Sequence, residues 1–264
     1  RGWGTQRLHE ATGIDPWFID RMRDIVTVEE NLRGMSLDRL DAQAFRLLKR
    51  MGLSDVQIGH LTGADELEVR ARRKQLGIVP AFKTVDTCAA EFPGTTAYHY
   101  KTYDADENEA MPTPGRKSVM ILGAGPNRIG QGIEFDYCCV HASYALRDAG
   151  YETIMVNCNP ETVSTDYDTS DKLYFEPLTF EDVMDIVDIE QPEGVVVTLG
   201  GQTPLKLAAA LQEAGVNIMG TKPEAIDLAE DRDRFRAVCD ELAIAYPAAG
   251  QATTIDQARK VAAD

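Results

Sequence analysis

The chain lacks any apolar run approaching the ~20 residues a membrane-spanning helix requires, so no such helix is predicted. It is poor in cysteine, with Cys88, Cys138, Cys139, Cys158 and Cys239. An odd number, with no CxxC pair and no Cys/His spacing, argues against a disulfide framework and a zinc site, and predicts reduced thiols in the cytoplasm. Basic residues are also scarce: 27 Lys and Arg stand against 43 Asp and Glu, for a net charge of −16. The deficit is uneven. Residues 1–115 carry 15 basic against 18 acidic residues, and the remainder 12 against 25. A second half this acidic is unsuited to nucleic-acid phosphates, which need cationic partners. There is no GxxxxGK[ST] phosphate loop, no short-period repeat and no low-complexity tract. No secretory leader is visible, Arg1 opens the chain, and QARKVAAD closes it within a predicted helix, so a piece of a longer chain is expected.

What is present is enough for two domains: 264 residues, 44% of them hydrophobic. Residues 1–79 read as four short helices forming a small bundle. Asp15-Pro16 predicts an N-cap followed by Pro at the first helical position, and Phe18, Met22, Ile25 and Val26 follow at helical spacing. A second helix is expected over about 38–50, with Leu40, Ala44, Leu47 and Leu48 on one face and Gly52 as its stop. Ser54…Gln57 is a capping box opening a third, and Asp65 opens a fourth that runs to Gly77. Residues 80–115 are expected to hold one extended piece and an exposed acidic, Pro-rich linker, DADENEAMPTPG. From Lys117 the pattern alternates. Strands are predicted at 118–122, 153–159, 194–199 and 216–220, and helices at 134–149, 181–190, 204–214, about 223–242 and 254–264. Apolar strands alternating with helices imply a parallel sheet covered on both faces.

Three connections after predicted strands carry the chemistry. GAGPNRIGQG contributes Gly125, Asn127, Arg128, Gly130 and Gly132. NCNPETVSTDYDTSD contributes Asn157 and Asn159, and TLGGQTPL contributes Gly200, Gly201 and Gln202. A glycine turn between strand and helix can approach phosphate, or can simply let the chain reverse. The dinucleotide fingerprint is poor, because Arg128 stands where a third glycine belongs and the second strand ends in amides rather than a ribose-binding carboxylate. Open α/β sheets bind ligands at this edge, so the three loops predict a polar site or channel. Cys138 and Cys139 point about 100° apart on a helix and read as small hydrophobes rather than a redox pair, and His141 reads as structural.

GPNRIGQGIEFDYCCVHA, NCNPETVSTDYDTSDKLYFEP and GGQTPLKLA, with VDTCAAEF and IDPWF upstream, together resemble the carbamoyl phosphate synthetase large-subunit family over essentially the whole chain. The resemblance implies a helical oligomerisation domain with an extended connector over 1–110. It implies a Rossmann-like pre-ATP-grasp domain of the second, carbamate-phosphorylating half over 111–235, and the truncated start of an ATP-grasp domain over 236–264. It implies a ligase that makes carbamoyl phosphate from bicarbonate, ammonia and ATP for arginine and pyrimidine biosynthesis. ATP with magnesium, or manganese, would bind mostly outside this stretch. A glutamine amidotransferase small subunit would be the partner, along with further copies of the chain through residues 1–110. It places Arg128–Gly132 near an internal passage for labile intermediates, matches Arg232 to an arginine flanking the nucleotide, and puts the catalytic residues beyond Asp264. Leu199 departs from the family pattern, where an aromatic is expected before GGQ. Two other classes stay open. SDVQIGHLTGADELEVRARRKQLG, with Arg70, Arg72, Arg73 and Lys74, has the outline of a DNA-binding helix-turn-helix, and the glycine turn leaves an NAD(P)-dependent oxidoreductase.

Overall fold

Asp15 caps helix α2 (Pro16–Leu32) by accepting the Trp17 N–H, with Pro16 in the first turn, where its missing donor costs nothing. The computed structural model describes residues 2–89, 91–92, 98–126, 134–247 and 250–263. A helix the sequence reading did not anticipate, α1 (Thr5–Thr12), precedes α2. Helix α3 (Ala42–Arg50) begins later than expected, because Leu37–Arg39 form a 3-10 turn and Asp41 supplies the cap. Both predicted capping boxes are present, Ser54 with Gln57 opening α4 (Asp55–Thr62) and Asp65 with Glu68 opening α5 (Glu66–Gln75). Leu32, Phe45, Leu48, Ile58, Leu61 and Val69 form the core between these helices. The α2 stripe is another matter. Phe18, Met22, Ile25 and Val26 are 40–56% exposed.

The other element of this unit is a seven-stranded sheet. Its strands are β1 (Ala81–Thr84), β2 (Tyr98–Thr102), β3 (Ser118–Leu122), β4 (Glu152–Val156), β5 (Lys172–Tyr174), β6 (Gly194–Val196) and β7 (Ile218–Met219), in the order β1-β2-β5-β4-β3-β6-β7. Among the described residues the β1–β2 pair is antiparallel and the other pairs are parallel. All five residues of β3 and all five of β4 are buried, as expected for central parallel strands with both faces covered. The helices of this part are α6 (Glu134–Asp148), α7 (Phe180–Glu190), α8 (Gln202–Leu205) and α9 (Ala208–Glu213). One continuous helix was expected in place of the last two.

The stretch expected as an exposed linker is mostly exposed, but residues 108–110 anchor it to the sheet. Glu109 donates its N–H to Phe82 O at 2.9 Å, Asn108 Oδ1 accepts the Phe82 N–H at 2.8 Å, and Ala110 is 1% exposed. Edge strand β1 is thereby covered by the chain's own backbone, a usual protection of a free edge. The chain divides into two compact units, Arg1–Met219 and Gly220–Asp264. The second holds α10 (Pro223–Glu230), α11 (Arg232–Glu241) and α12 (Ile255–Ala263), the last opened by the Thr254–Gln257 box. Among the described residues no helix is long and apolar enough to cross a membrane.

Arg70 and Arg73 of the basic face of α5 are buried, while Lys74 stays exposed at its margin. Arg73 is fully buried. Its Nε and Nη2 reach Asp55 Oδ2 at 3.1 and 3.0 Å, and Nη2 reaches Asp185 Oδ1 at 3.1 Å. Arg70 contacts Asp185 at 2.6 Å and Asp188 at 2.5 Å, and Lys74 contacts Asp188 at 2.8 Å. Lys49 joins Asp55 at 2.9 Å to Glu181 at 2.6 Å. Burial alone would raise the Asp185 carboxyl, but Arg73, Lys101 and Arg70 outweigh it and hold the carboxyl below its usual range. The helix-turn-helix outline is therefore corrected: Arg70 and Arg73 are buried against α7 and Asp55 and cannot serve phosphates, and Lys74 is paired with Asp188.

Candidate functional site

The order of the strands locates the site. From β3 the chain adds β4 and then β5 on one side, and afterwards β6 and β7 on the other. The reversal lies between β3 and β6, and a crevice opens at the carboxyl end of such a switch point. The connections leaving β3, β4 and β6 are the three that the sequence singled out.

They meet through close backbone approach and one amide. The Gly125 N–H donates to Asn157 Oδ1 at 3.1 Å, and Asn157 Nδ2 donates to Ser164 Oγ at 3.1 Å. The Ser164 N–H in turn donates to the Asp136 carboxylate at 3.1 and 3.3 Å, which ties the β4 connection to the first turn of α6. Asn157 has no exposed surface, so its side chain is a strut between loops. A side chain at Gly123 would collide with Asn157, its Cβ falling 2.7 Å from the amide. At Gly200 a Cβ would sit well inside contact distance of Gly123 O and 2.6 Å from Leu122 O. Gly201 has φ +75 and lies over the Phe135 ring, and Gly125 has φ +75 beside Leu178 and Thr203. Both φ values fall where L side chains are strained. The glycines at these four positions are what allows three backbones to converge.

Asn159 is buried. It caps its own turn, with Oδ1 accepting the Glu161 N–H at 3.0 Å and its carbonyl accepting Thr165 Oγ1 at 3.0 Å. Gln202 is exposed at the start of α8. Asn127, Arg128, Gly130 and Gly132 lie outside the described residues. In the second unit, Arg232 is the exposed first residue of α11, whose cap Asp231 accepts the Asp233 and Arg234 N–H groups. Asp136, Ser164 and Phe135 complete the rim without having been singled out, since no spacing in the sequence links residues so far apart. Cys139 is buried, and burial, with Asp136 nearby, pushes its thiol up to about 12, so it is inert at neutral pH. Cys138 is exposed on the same helix. The His141 ring lies 4.1 Å from the Tyr137 ring. Among the described residues no group of three or more His, Cys, Asp or Glu is placed to hold a metal ion.

Comparison with known proteins gives two family matches. Residues 115–228 match the carbamoyl phosphate synthase preATP-grasp domain, and residues 1–77 match the oligomerisation domain of the carbamoyl-phosphate synthetase large chain. Carbamoyl phosphate synthase large chains are similar throughout. That of Gemmatimonas aurantiaca is 58% identical over 99% of this chain and 24% of its own length. That of Xanthomonas campestris is 56% identical over 97% and 24%, and that of Synechocystis 54% over 99% and 25%. The chain thus spans about a quarter of the length of the relatives it matches. Among solved structures, a biotin carboxylase domain of a single-chain bacterial carboxylase aligns with a TM-score of 0.40 at 16% identity, over 55% of this chain and 33% of that one.

Proposed function

The chain belongs to the carbamoyl phosphate synthase large-chain family, and from that premise we propose that it forms part of a ligase making carbamoyl phosphate from bicarbonate, ammonia and ATP. Its role there is scaffolding. The rim where the β3, β4 and β6 connections meet edges a passage that delivers a labile intermediate to the second ATP site. Excluding bulk water from such an intermediate is what an internal passage supplies. The observation that carries this reading is the packing of Gly123, Gly125, Gly200 and Gly201 around the Asn157 strut. It holds three loops together at the sheet edge where α/β proteins bind their ligands.

The boundaries follow the same reading. Residues 1–110 are a helical oligomerisation bundle with an extended connector, 111–235 a Rossmann-like pre-ATP-grasp domain, and 236–264 the start of an ATP-grasp domain. The exposed apolar stripe of α2 supports a contact with further copies of the chain. The amidotransferase small subunit is the second partner, and the cytoplasm the compartment. ATP is the nucleotide. Arg232, exposed at a helix start, is the residue of this chain offered to it, and a guanidinium suits phosphate. On the same reading magnesium, or manganese, binds with the ATP mostly outside this stretch.

The test uses the full-length enzyme. Arg128→Ala and Gly132→Phe should each raise the ATP hydrolysed per carbamoyl phosphate formed, while glutamine or ammonia use continues. Unchanged coupling in both variants would end the passage role.

A further inference from the structure

A cleft of about 510 Å³ opens in the larger unit between the end of α3, strand β2 and the start of α7. It lies apart from the glycine rim, and the proposed role makes no use of it. Two of the cations that face it are committed. Lys49 holds Asp55 and Glu181, and Lys101 holds Asp182 and, at 3.2 Å, Asp185. At the exposed margin Arg50 and Asp104 pair with each other. Glu176 differs. It is 7% exposed, accepts the backbone N–H of Lys101, and has no ion-pair partner among the described residues. Tyr103 also lines the cleft, but its hydroxyl is buried and its ring already faces Lys49, Arg73 and Lys101 at 5.6, 5.8 and 5.9 Å, so it is not open to a ligand.

We propose that this cleft binds a small organic primary amine whose ammonium group pairs with Glu176. A buried carboxylate without a cation is costly to leave so. An ammonium group carries one positive charge and three donors, and the ionised Glu176 carboxylate accepts. The alternatives fit less well. The volume falls in the range of organic-ligand sites rather than of a bare ion. A divalent cation needs several oxygen ligands, and only one carboxylate here is uncommitted.

The proton is the competitor. Burial pushes the Glu176 carboxyl up to about 7, with Asp182 and Asp185 adding to the rise and Lys101 opposing it through its N–H and its charge. Lys49, Arg50, Asp104 and Glu181 are the other charged groups facing the cleft. An amine must therefore displace a proton below about pH 7. Its affinity should climb with pH by up to about tenfold per unit in that range and level off above it.

The test titrates the 264-residue chain with propylammonium, following binding by calorimetry between about pH 5.5 and 8. Tetramethylammonium, which has no N–H, and potassium serve as controls. One saturable site is expected for propylammonium alone, strengthening with pH, and lost in Glu176→Gln, which keeps the acceptor for the Lys101 N–H. If that variant folds poorly, the pH trend of the unaltered chain decides. Absence of saturable binding, a pH-independent affinity, equal binding of tetramethylammonium or potassium, or full binding by a folded Glu176→Gln would each overturn the proposal and leave water as the cleft's occupant.

Discussion

The seam between α5 and α7 and the rim above β3 and β6 are both buried and polar, and they are made of opposite materials. Formal charges run through the seam: Arg73 has no exposed surface and is held by Asp55 and Asp185. At the centre of the rim stands a neutral amide, Asn157, among glycines. Charge opposing charge fixes one orientation of two helices at a high cost of desolvation. Backbone against backbone fixes distance with no charge to desolvate, but tolerates no added atom. The seam therefore orders the helical segment against the sheet, and the rim sets how closely its connections approach one another.

The sharpest way to break this contrast is to remove the centre of the seam. Arg73→Met should destabilise the chain by about 3–5 kcal/mol, because Asp55 and Asp185 would be left as uncompensated buried charges. Urea unfolding at neutral pH measures it. A loss under about 1 kcal/mol would show that the network is not the principal fastening of α5 to α7.

On the rim, Gly200→Ala should cost about 1–3 kcal/mol, the range for forcing an extra carbon into a packed interior. The new methyl meets Gly123 O and Leu122 O, which are backbone atoms and cannot rotate away. Thermal unfolding checks the stability. A neutral outcome would mean that the β3 and β6 connections are not in the close contact on which the rim depends.

Much of this was legible beforehand, for definable reasons. SVMIL and TIMV announced themselves because strands covered on both faces read as unbroken apolar runs. Both capping boxes were visible because their partners stand three residues apart. β5 was missed: it is three residues long, and its Lys172 is acceptable inside because Glu190, 18 residues further on, and the Met111 carbonyl each lie at 2.7 Å. β2 was missed for the same kind of reason, its Lys101 being neutralised by Asp182 and Asp185 of α7. The destination of the α5 arginines was hidden likewise, since Asp185 is 115 residues from Arg70. For the site, residue types pointed to the right loops. They did not reveal that Asn157 faces inward as a strut, which depends on the hydroxyl of Ser164 and the amide of Gly125 arriving from two other segments.

The smallest expected effect tests whether burial, rather than charge alone, gives the seam its strength. Lys74 contacts Asp188 at 2.8 Å, as short as many of the buried pairs, yet the two side chains are 44% and 34% exposed. Water can solvate either partner once the other is gone, and salt screens the pair while it lasts. Asp188 also keeps Arg70 at 2.5 Å, so no carboxylate is stranded. Lys74→Ala should therefore cost no more than about 1 kcal/mol, and less at high ionic strength. Denaturant titrations of this variant and of Arg73→Met, each at low and high salt, place the two side by side. Similar losses for both, or a salt response confined to Arg73→Met, would mean that the seam works by summed charge and that its exposed margin matters as much as its interior.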